Sequence, residues 1–374
     1  MMQSHEGGAL TDEPIELDTP WRRDPAELAG QLTRWARATI APDVTVGEAS
    51  APGNGMSSET VLFDLHDGAG SVEHYVARLA PLPELYPVFP EYDLELQRRC
   101  MEMVRAHTDV PAPEVPHSET DPDWLGSPFI VMKRIDGVPP LDVPPYVFGG
   151  WVMDATPDER SRMQRNAVSV LTRLHVITPN THDLSFLMRP EHGDTALDQQ
   201  LGYQRWYYDW ARDGATYPLI ERTFEWLDAR KPSEPRTVFN WGDSRIGNML
   251  WRDFEPVAVL DWEMATVGPP EVDLAWMIFL HDFFQDLAAR FDMPGLPEFM
   301  DRSEIMATYE DLSGHAVQQL EWFEVYAALR FAIVSIRTST RGIAYGSMEK
   351  PEDPDDLVMF RSLLEQMLAG TYWD

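Results

Sequence analysis

Residues 238–276 read VFNWGDSRIGNMLWRDFEPVAVLDWEMATVGPPEVDLAW, and the rest of the chain is best understood outward from them. TVFN at 237–240 is a short apolar run that carries the chain to Gly242 and Asp243, and a loop then reaches Asn248. A second apolar run, VAVLDW at 257–262, delivers Asp261, with Glu263 close behind. Runs of this length and composition predict strands, so two carboxylates and one amide arrive near adjacent strand ends. Phosphoryl transfer needs such a set: one carboxylate to orient or deprotonate an acceptor, and hard oxygen ligands to hold magnesium against a phosphate tail. Asp243 is the candidate catalytic base, with Asn248 and Asp261 as candidate metal ligands. Glu263 is expected to bind metal through water or to hold the site in shape. An aspartate after a strand is common in ordinary loops; the ordered set, not any single member, points to this chemistry.

Around this stretch the sequence is mainly helical. Thr156 can cap a helix, Pro157 fits its first turn and Glu159 completes a capping box, after which Met163, Ala167, Val170 and Leu174 form one stripe. Further helices are expected at 217–229, 272–288, 303–311, 315–339 and 355–369. The amino-terminal part differs. Asp24-Pro25 reads as a helix start, VLFDL at 61–65 and HYVARL at 74–79 as strands, 93–106 as a helix, and SPFIVMKRIDG at 127–137 as a strand ending in a glycine-marked break. The expected architecture is α+β and bilobal: a flexible lead over 1–20, a small mixed-sheet lobe over 21–136, and a larger, mainly helical lobe over 137–374 with a small inserted hairpin.

The charge balance narrows the partners. Thirty Lys and Arg against 62 Asp and Glu give a formal net charge of -32. Such a surface repels phosphate backbones and anionic membranes and can draw a cationic substrate. Cys100 is the only cysteine, which excludes an internal disulfide or a thiolate metal cluster. No secretory signal pattern or long apolar run is found, so a cytoplasmic protein is expected.

The same 238–276 segment resembles the aminoglycoside phosphotransferase and choline-kinase-like superfamily. It is most similar to the branch that includes the kinase-like domain of acyl-CoA dehydrogenase family proteins. That branch carries a His-Gly-Asp signature, an Asn five residues after the Asp, and a later Leu-Asp-Trp-Glu; here these read Trp241-Gly242-Asp243, Asn248 and Leu260-Asp261-Trp262-Glu263. The match continues through Gly268-Pro269-Pro270 and Asp273-Leu274-Ala275. Trp241 departs from the pattern. The family's histidine supports the catalytic loop, so its hydrogen bonds must be replaced, and a bulky indole is expected to reshape the acceptor pocket.

The resemblance implies a protein-kinase-like fold with ATP and magnesium as cofactors, GTP remaining an alternative, and a hydroxyl-bearing small molecule as acceptor, such as an aminoglycoside or another cationic metabolite. It places a phosphate-covering loop at Gly55 to Thr60, with Ser57, Ser58 and Thr60 as contacts and Ser58 where relatives carry Asn. It places a phosphate-binding cation at Arg78, with Glu95 its preferred acidic partner and Glu102 the alternative. The inter-lobe connection falls at Met132 and Arg134, whose backbone suits an adenine edge. His175 and Asp273 are expected to be structural. Asp282, Asp286, Glu321 and Glu324 are candidate contacts for an amine-bearing ligand. The competing function is a regulatory nucleotide-binding pseudokinase, for which Trp241 is the main support. A protein kinase is disfavoured by the compact Asp243-to-Asp261 interval.

Overall fold

Asp24 accepts a hydrogen bond from the Ala26 amide, and Pro25 fills the first helical position, so helix α1 forms over Pro25–Thr39. The computed structural model describes residues 22–51, 58–233 and 236–373. The expected lead at 1–20 and two members of the phosphate loop, Gly55 and Ser57, lie outside those residues. Strands β1 (Thr45–Ser50), β2 (Glu59–His66) and β3 (Val72–Leu79) follow, then helix α2 (Leu94–His107), β4 (His117–Glu119) and β5 (Phe129–Lys133). They form one five-stranded sheet in the order β1-β2-β3-β5-β4, with each neighbouring pair antiparallel.

Strand alternation explains why this sheet has a helix on each face. Phe129 and Val131 of β5 join Val61, Phe63, Tyr75 and Ala77 against Leu28, Leu32 and Trp35 of α1. Ile130 and Met132 point the other way, into the core that holds Cys100, Met101 and Val104 of α2.

The remaining elements are α3 (Trp151–Asp154), α4 (Pro157–Leu174), α5 (Ala196–Ala211), α6 (Pro218–Ala229), β6 (Val238–Asn240), β7 (Met249–Arg252), β8 (Glu255–Val259), β9 (Thr266–Gly268), α7 (Glu271–Arg290), α8 (Arg302–Ser313), α9 (Leu320–Ala344) and α10 (Arg361–Ala369). The expected capping box is present at Thr156 and Glu159. Helix α7 is apolar around most of its circumference because it runs through the core, where Phe279 and Phe283 pack on Phe331 and Phe360. The strand expected over 257–262 stops at Val259. Its hairpin partner is β7, turned by Asp253 and Phe254, both at positive φ, while β6 pairs separately with β9. No helix among the described residues is long and apolar enough to cross a membrane.

Backbone and side-chain hydrogen bonds join the two halves. The Val259 amide donates to the Pro111 carbonyl at 2.7 Å. The strap between β3 and α2 is gripped by Tyr207 of α5, which donates to the Val88 carbonyl at 2.8 Å, and by Arg337 of α9, which donates to the Pro87 carbonyl at 2.8 Å. The Arg337 guanidinium also lies 3.8 Å from the Tyr86 ring centre and 4.1 Å from that of Trp210.

Candidate active site

β6 ends at Asn240, and the turn that follows is shaped by one buried carboxylate. Asp273, fully buried near the start of α7, accepts the amide protons of Trp241 at 2.9 Å and Gly242 at 2.8 Å. His175 Nε2 lies 3.0 Å from the same carboxylate, and its Nδ1 lies 2.7 Å from the Tyr309 hydroxyl. Gly242 has φ +90°, and a Cβ there would sit 1.9 Å from the Met264 carbonyl oxygen, so only glycine fits.

Asp243 emerges from this turn 8% exposed. Its Oδ1 accepts the indole proton of Trp276 at 2.7 Å and faces Arg245 Nε at 3.3 Å. Arg245 continues to Asp142 at 2.5 Å, so the linker after the small lobe is tied to the loop carrying Asp243. Asn248 donates its amide nitrogen to the Asp243 carbonyl at 3.1 Å, while its own main-chain oxygen accepts from the Leu260 amide at 2.8 Å. That last bond sets Asp261 beside Asn248. Asp261 adopts φ +59°, a left-handed conformation that Asp tolerates better than most residues.

Trp241 does not line an acceptor pocket. Its indole is fully buried, 5.9 Å centre-to-centre from Trp262, and its N–H donates to the carbonyls of Leu260 at 2.8 Å and Asp261 at 3.2 Å. The residue that breaks the sequence pattern thus braces the loop carrying Asp261, and the expected reshaping of the pocket is corrected to a role inside the core.

Arg78 reaches this loop from β3. Its Nη2 donates to Asp261 Oδ1 at 2.6 Å and to Glu263 Oε2 at 2.9 Å. The expected partnership with Glu95 is therefore corrected. Glu95 sits on the outer face of α2, one turn before Arg98, and that guanidinium takes both Glu95 and Glu102. Thr60 lies directly opposite Arg78 in the β2–β3 register, and Ser58 is buried just before it. Met132 is buried and Arg134 exposed, 4.0 Å from Asp136, so the two sit at the end of β5 without joining the carboxylates.

Three of the four acidic residues expected to meet an amine are already engaged. Asp282 accepts from the Tyr372 hydroxyl and Asp286 pairs with Arg290. Glu324, fully buried, is held by Arg302 at 2.7 Å and Trp373 at 2.6 Å. Glu321 is exposed. Trp276 and Arg330 also touch the Asp243 turn, and nothing in the local sequence marks them. Both lie in helices that read as ordinary core.

As donors, Asp261, Glu263 and the amide oxygen of Asn248 are hard oxygen ligands of the kind magnesium takes. They do not form a ready-made cage, since among the described residues no cluster of three or more His, Cys, Asp or Glu side chains is assembled.

The profile of the phosphotransferase enzyme family matches residues 48–305. The chain is 25% identical over 303 residues to the Arabidopsis thaliana protein named "Probable acyl-CoA dehydrogenase IBR3", covering 76% of this chain and 35% of that one. It is 28% identical over 225 residues to acyl-CoA dehydrogenase family member 10 of Mus musculus, covering 60% of this chain and 19% of that one. The match thus takes in only about a third and a fifth of those proteins. Among solved structures, a protein from Ralstonia eutropha JMP134 assigned as an aminoglycoside phosphotransferase superposes with a TM-score of 0.64 at 18% identity, over 92% of this chain and 98% of that one. The GDP and kanamycin complex of APH(2")-IIIa superposes with a TM-score of 0.55 at 13% identity, over 91% and 98%. At these identities the likeness is one of fold. By the family profile, and with a two-lobed kinase-like architecture to match, the chain belongs to the phosphotransferase enzyme family.

Proposed function

We propose that this chain transfers the terminal phosphoryl group of ATP, with GTP as the alternative donor, to a hydroxyl of a small molecule. The observation that carries this reading is that Asn248 bonds both to the Asp243 carbonyl and, through its own carbonyl, to the Leu260 amide just before Asp261, with Arg78 reaching the Asp261 loop from the sheet lobe. Residues 21–136 form the nucleotide lobe and 137–374 the catalytic and acceptor lobe, and the reaction suits a cytoplasmic setting. Thr60 and Ser58 stand beside Arg78, where the donor phosphates would lie. Met132 and Arg134, at the end of β5, are the proposed backbone contacts of the nucleotide base, with the Arg134 carbonyl left for it because the Arg134 amide donates to the His74 carbonyl at 3.0 Å.

Asp243 orients the acceptor and takes its proton as the new O–P bond forms. Asn248 and Asp261, with Glu263 behind them, would hold magnesium. Bound there, the ion would neutralise charge on the donor phosphates. Arg78 shares Asp261 and Glu263 in this structure, so donor binding exchanges carboxylate partners for phosphate oxygens on the same guanidinium.

An aminoglycoside acceptor is supported by the kanamycin complex of APH(2")-IIIa and by the net charge of -32. The engaged states of Asp282, Asp286 and Glu324 weigh against those particular side chains as the contacts. The pseudokinase alternative loses its main support, because Trp241 supplies hydrogen bonds to the Asp261 loop rather than removing them.

The deciding experiment is a magnesium–ATP screen over hydroxylated compounds with mass detection of phosphorylated product, run beside Asp243→Asn and Asp261→Ala. Transfer should appear with at least one compound and fall by about 100-fold or more in Asp243→Asn while nucleotide binding persists. Asp261→Ala should weaken magnesium-dependent nucleotide binding. Turnover that survives Asp243→Asn removes that residue from the role of base.

A further inference from the structure

Asp243 is held from one side. Oδ1 meets Trp276 Nε1 at 2.7 Å and Arg245 Nε at 3.3 Å, whereas Oδ2 accepts none of the hydrogen bonds described. Trp276 is 3% exposed and stands three residues beyond Asp273 on α7. A single helix therefore fixes both the backbone before Asp243, through the Asp273 carboxylate, and the Asp243 side chain, through the indole. The indole is itself clamped. Arg330 of α9 stacks its guanidinium 4.3 Å from the Trp276 ring centre and donates Nη2 to the Gly242 carbonyl at 2.7 Å, while Phe331 meets the indole edge-on at 6.2 Å. Arg330 is 3% exposed and its Nη1 is buried without a partner. Burying a guanidinium so incompletely satisfied costs free energy, so filling space is a poor reason for arginine at this position.

We propose that Trp276 is a positioning residue for phosphoryl transfer: its N–H pins Oδ1 of Asp243, leaving Oδ2 as the oxygen presented to the acceptor, and Arg330 fixes the indole that does so. This rests on Asp243 being the base. In the transfer step the acceptor O–H bond breaks as its oxygen bonds to phosphorus. The proton passes to Oδ2, and the nucleoside diphosphate leaves with the electron pair of the broken P–O bond. Trp276 neither gains nor loses a proton. Its contribution is to stop the carboxylate rotating, which is worth most when proton acceptor and hydroxyl must be aligned.

The test compares Trp276→Phe, which keeps an aromatic ring but no donor, with Trp276→His, which restores an N–H. Steady-state turnover of magnesium–ATP is measured with hydroxyl acceptors and with water. Trp276→Phe should lower kcat by roughly 10- to 100-fold, leave the nucleotide KM within about twofold, and be partly rescued by Trp276→His. An indole N–H resonance absent from Trp276→Phe should shift in Asp243→Ala. Turnover that is lost in Asp243→Asn yet unchanged in Trp276→Phe overturns the inference and leaves Asp243 as base. Neither transfer nor hydrolysis by the unaltered protein overturns the base assignment and the inference with it. Should Trp276→Phe fail to fold, Trp276→His, which also lacks the indole, assigns the resonance for the Asp243→Ala spectrum, and no displacement of it there overturns the proposal.

Discussion

Trp241 replaces an imidazole with a larger ring that also has one N–H to give, and it spends that proton on the two carbonyls that lead into Asp261. Trp241→Phe keeps most of the packing and removes the donor. It should cost about 1 kcal/mol of stability, seen in thermal unfolding, and raise the magnesium concentration needed for nucleotide binding, read by calorimetry across a magnesium series. An unaltered magnesium dependence would separate Trp241 from the metal loop. The sequence displayed the exchange plainly but not its consequence, because the carbonyls concerned lie 19 and 20 residues away along the chain. Arg78 illustrates the same limit: its position on β3 was legible, while Asp261 and Glu263 as partners followed only from the closeness of the two lobes.

At the level of helices and turns, local chemistry was the best guide. Asp24 and Thr156 cap where their side chains and following prolines say they should. Helix α5 shows no clear stripe in the sequence because of its crowd of Tyr and Trp, although Thr195 and Asp198 form a capping box at its start. Helix α9 begins at Leu320, not 315, because Gly314 closes α8 in a left-handed turn and the next residues are drawn to Glu271 by His315 at 2.9 Å and the Gln318 amide at 3.2 Å. Two substitutions separate a remote cap from the active turn. Thr156→Ala should cost about 1 kcal/mol in unfolding free energy and leave turnover intact. Gly242→Ala, which drives a methyl into the Met264 carbonyl, should abolish turnover in whatever fraction folds.

Across the whole molecule, acidic groups outnumber basic ones by 62 to 30, and the carboxyl-terminal residues cover part of that excess. Tyr372 and Trp373 close over Asp282 and Glu324, and burial pushes the Asp282 carboxyl up to about 6, against the opposing pull of the Tyr372 hydrogen bond. The folded chain therefore holds a proton that the unfolded chain, with an ordinary value of 3.8, releases earlier. Stability from this group is present at low pH and is lost as pH rises through about 6. Asp282→Asn should raise Tm by roughly 2–6 °C at pH 7.5, with the gain shrinking toward pH 5; a gain that does not change with pH would exclude this carboxyl as its source.

The strap between β3 and α2 is held by its main chain. Tyr207 and Arg337 seize carbonyl oxygens of Val88 and Pro87, atoms every residue possesses. The side chains of Pro87 and Val88 can be exchanged without removing either acceptor, whereas the Tyr86 ring also packs on Arg337. Drift in sequence at positions 87 and 88 leaves this seam closed as long as Tyr207 and Arg337 remain.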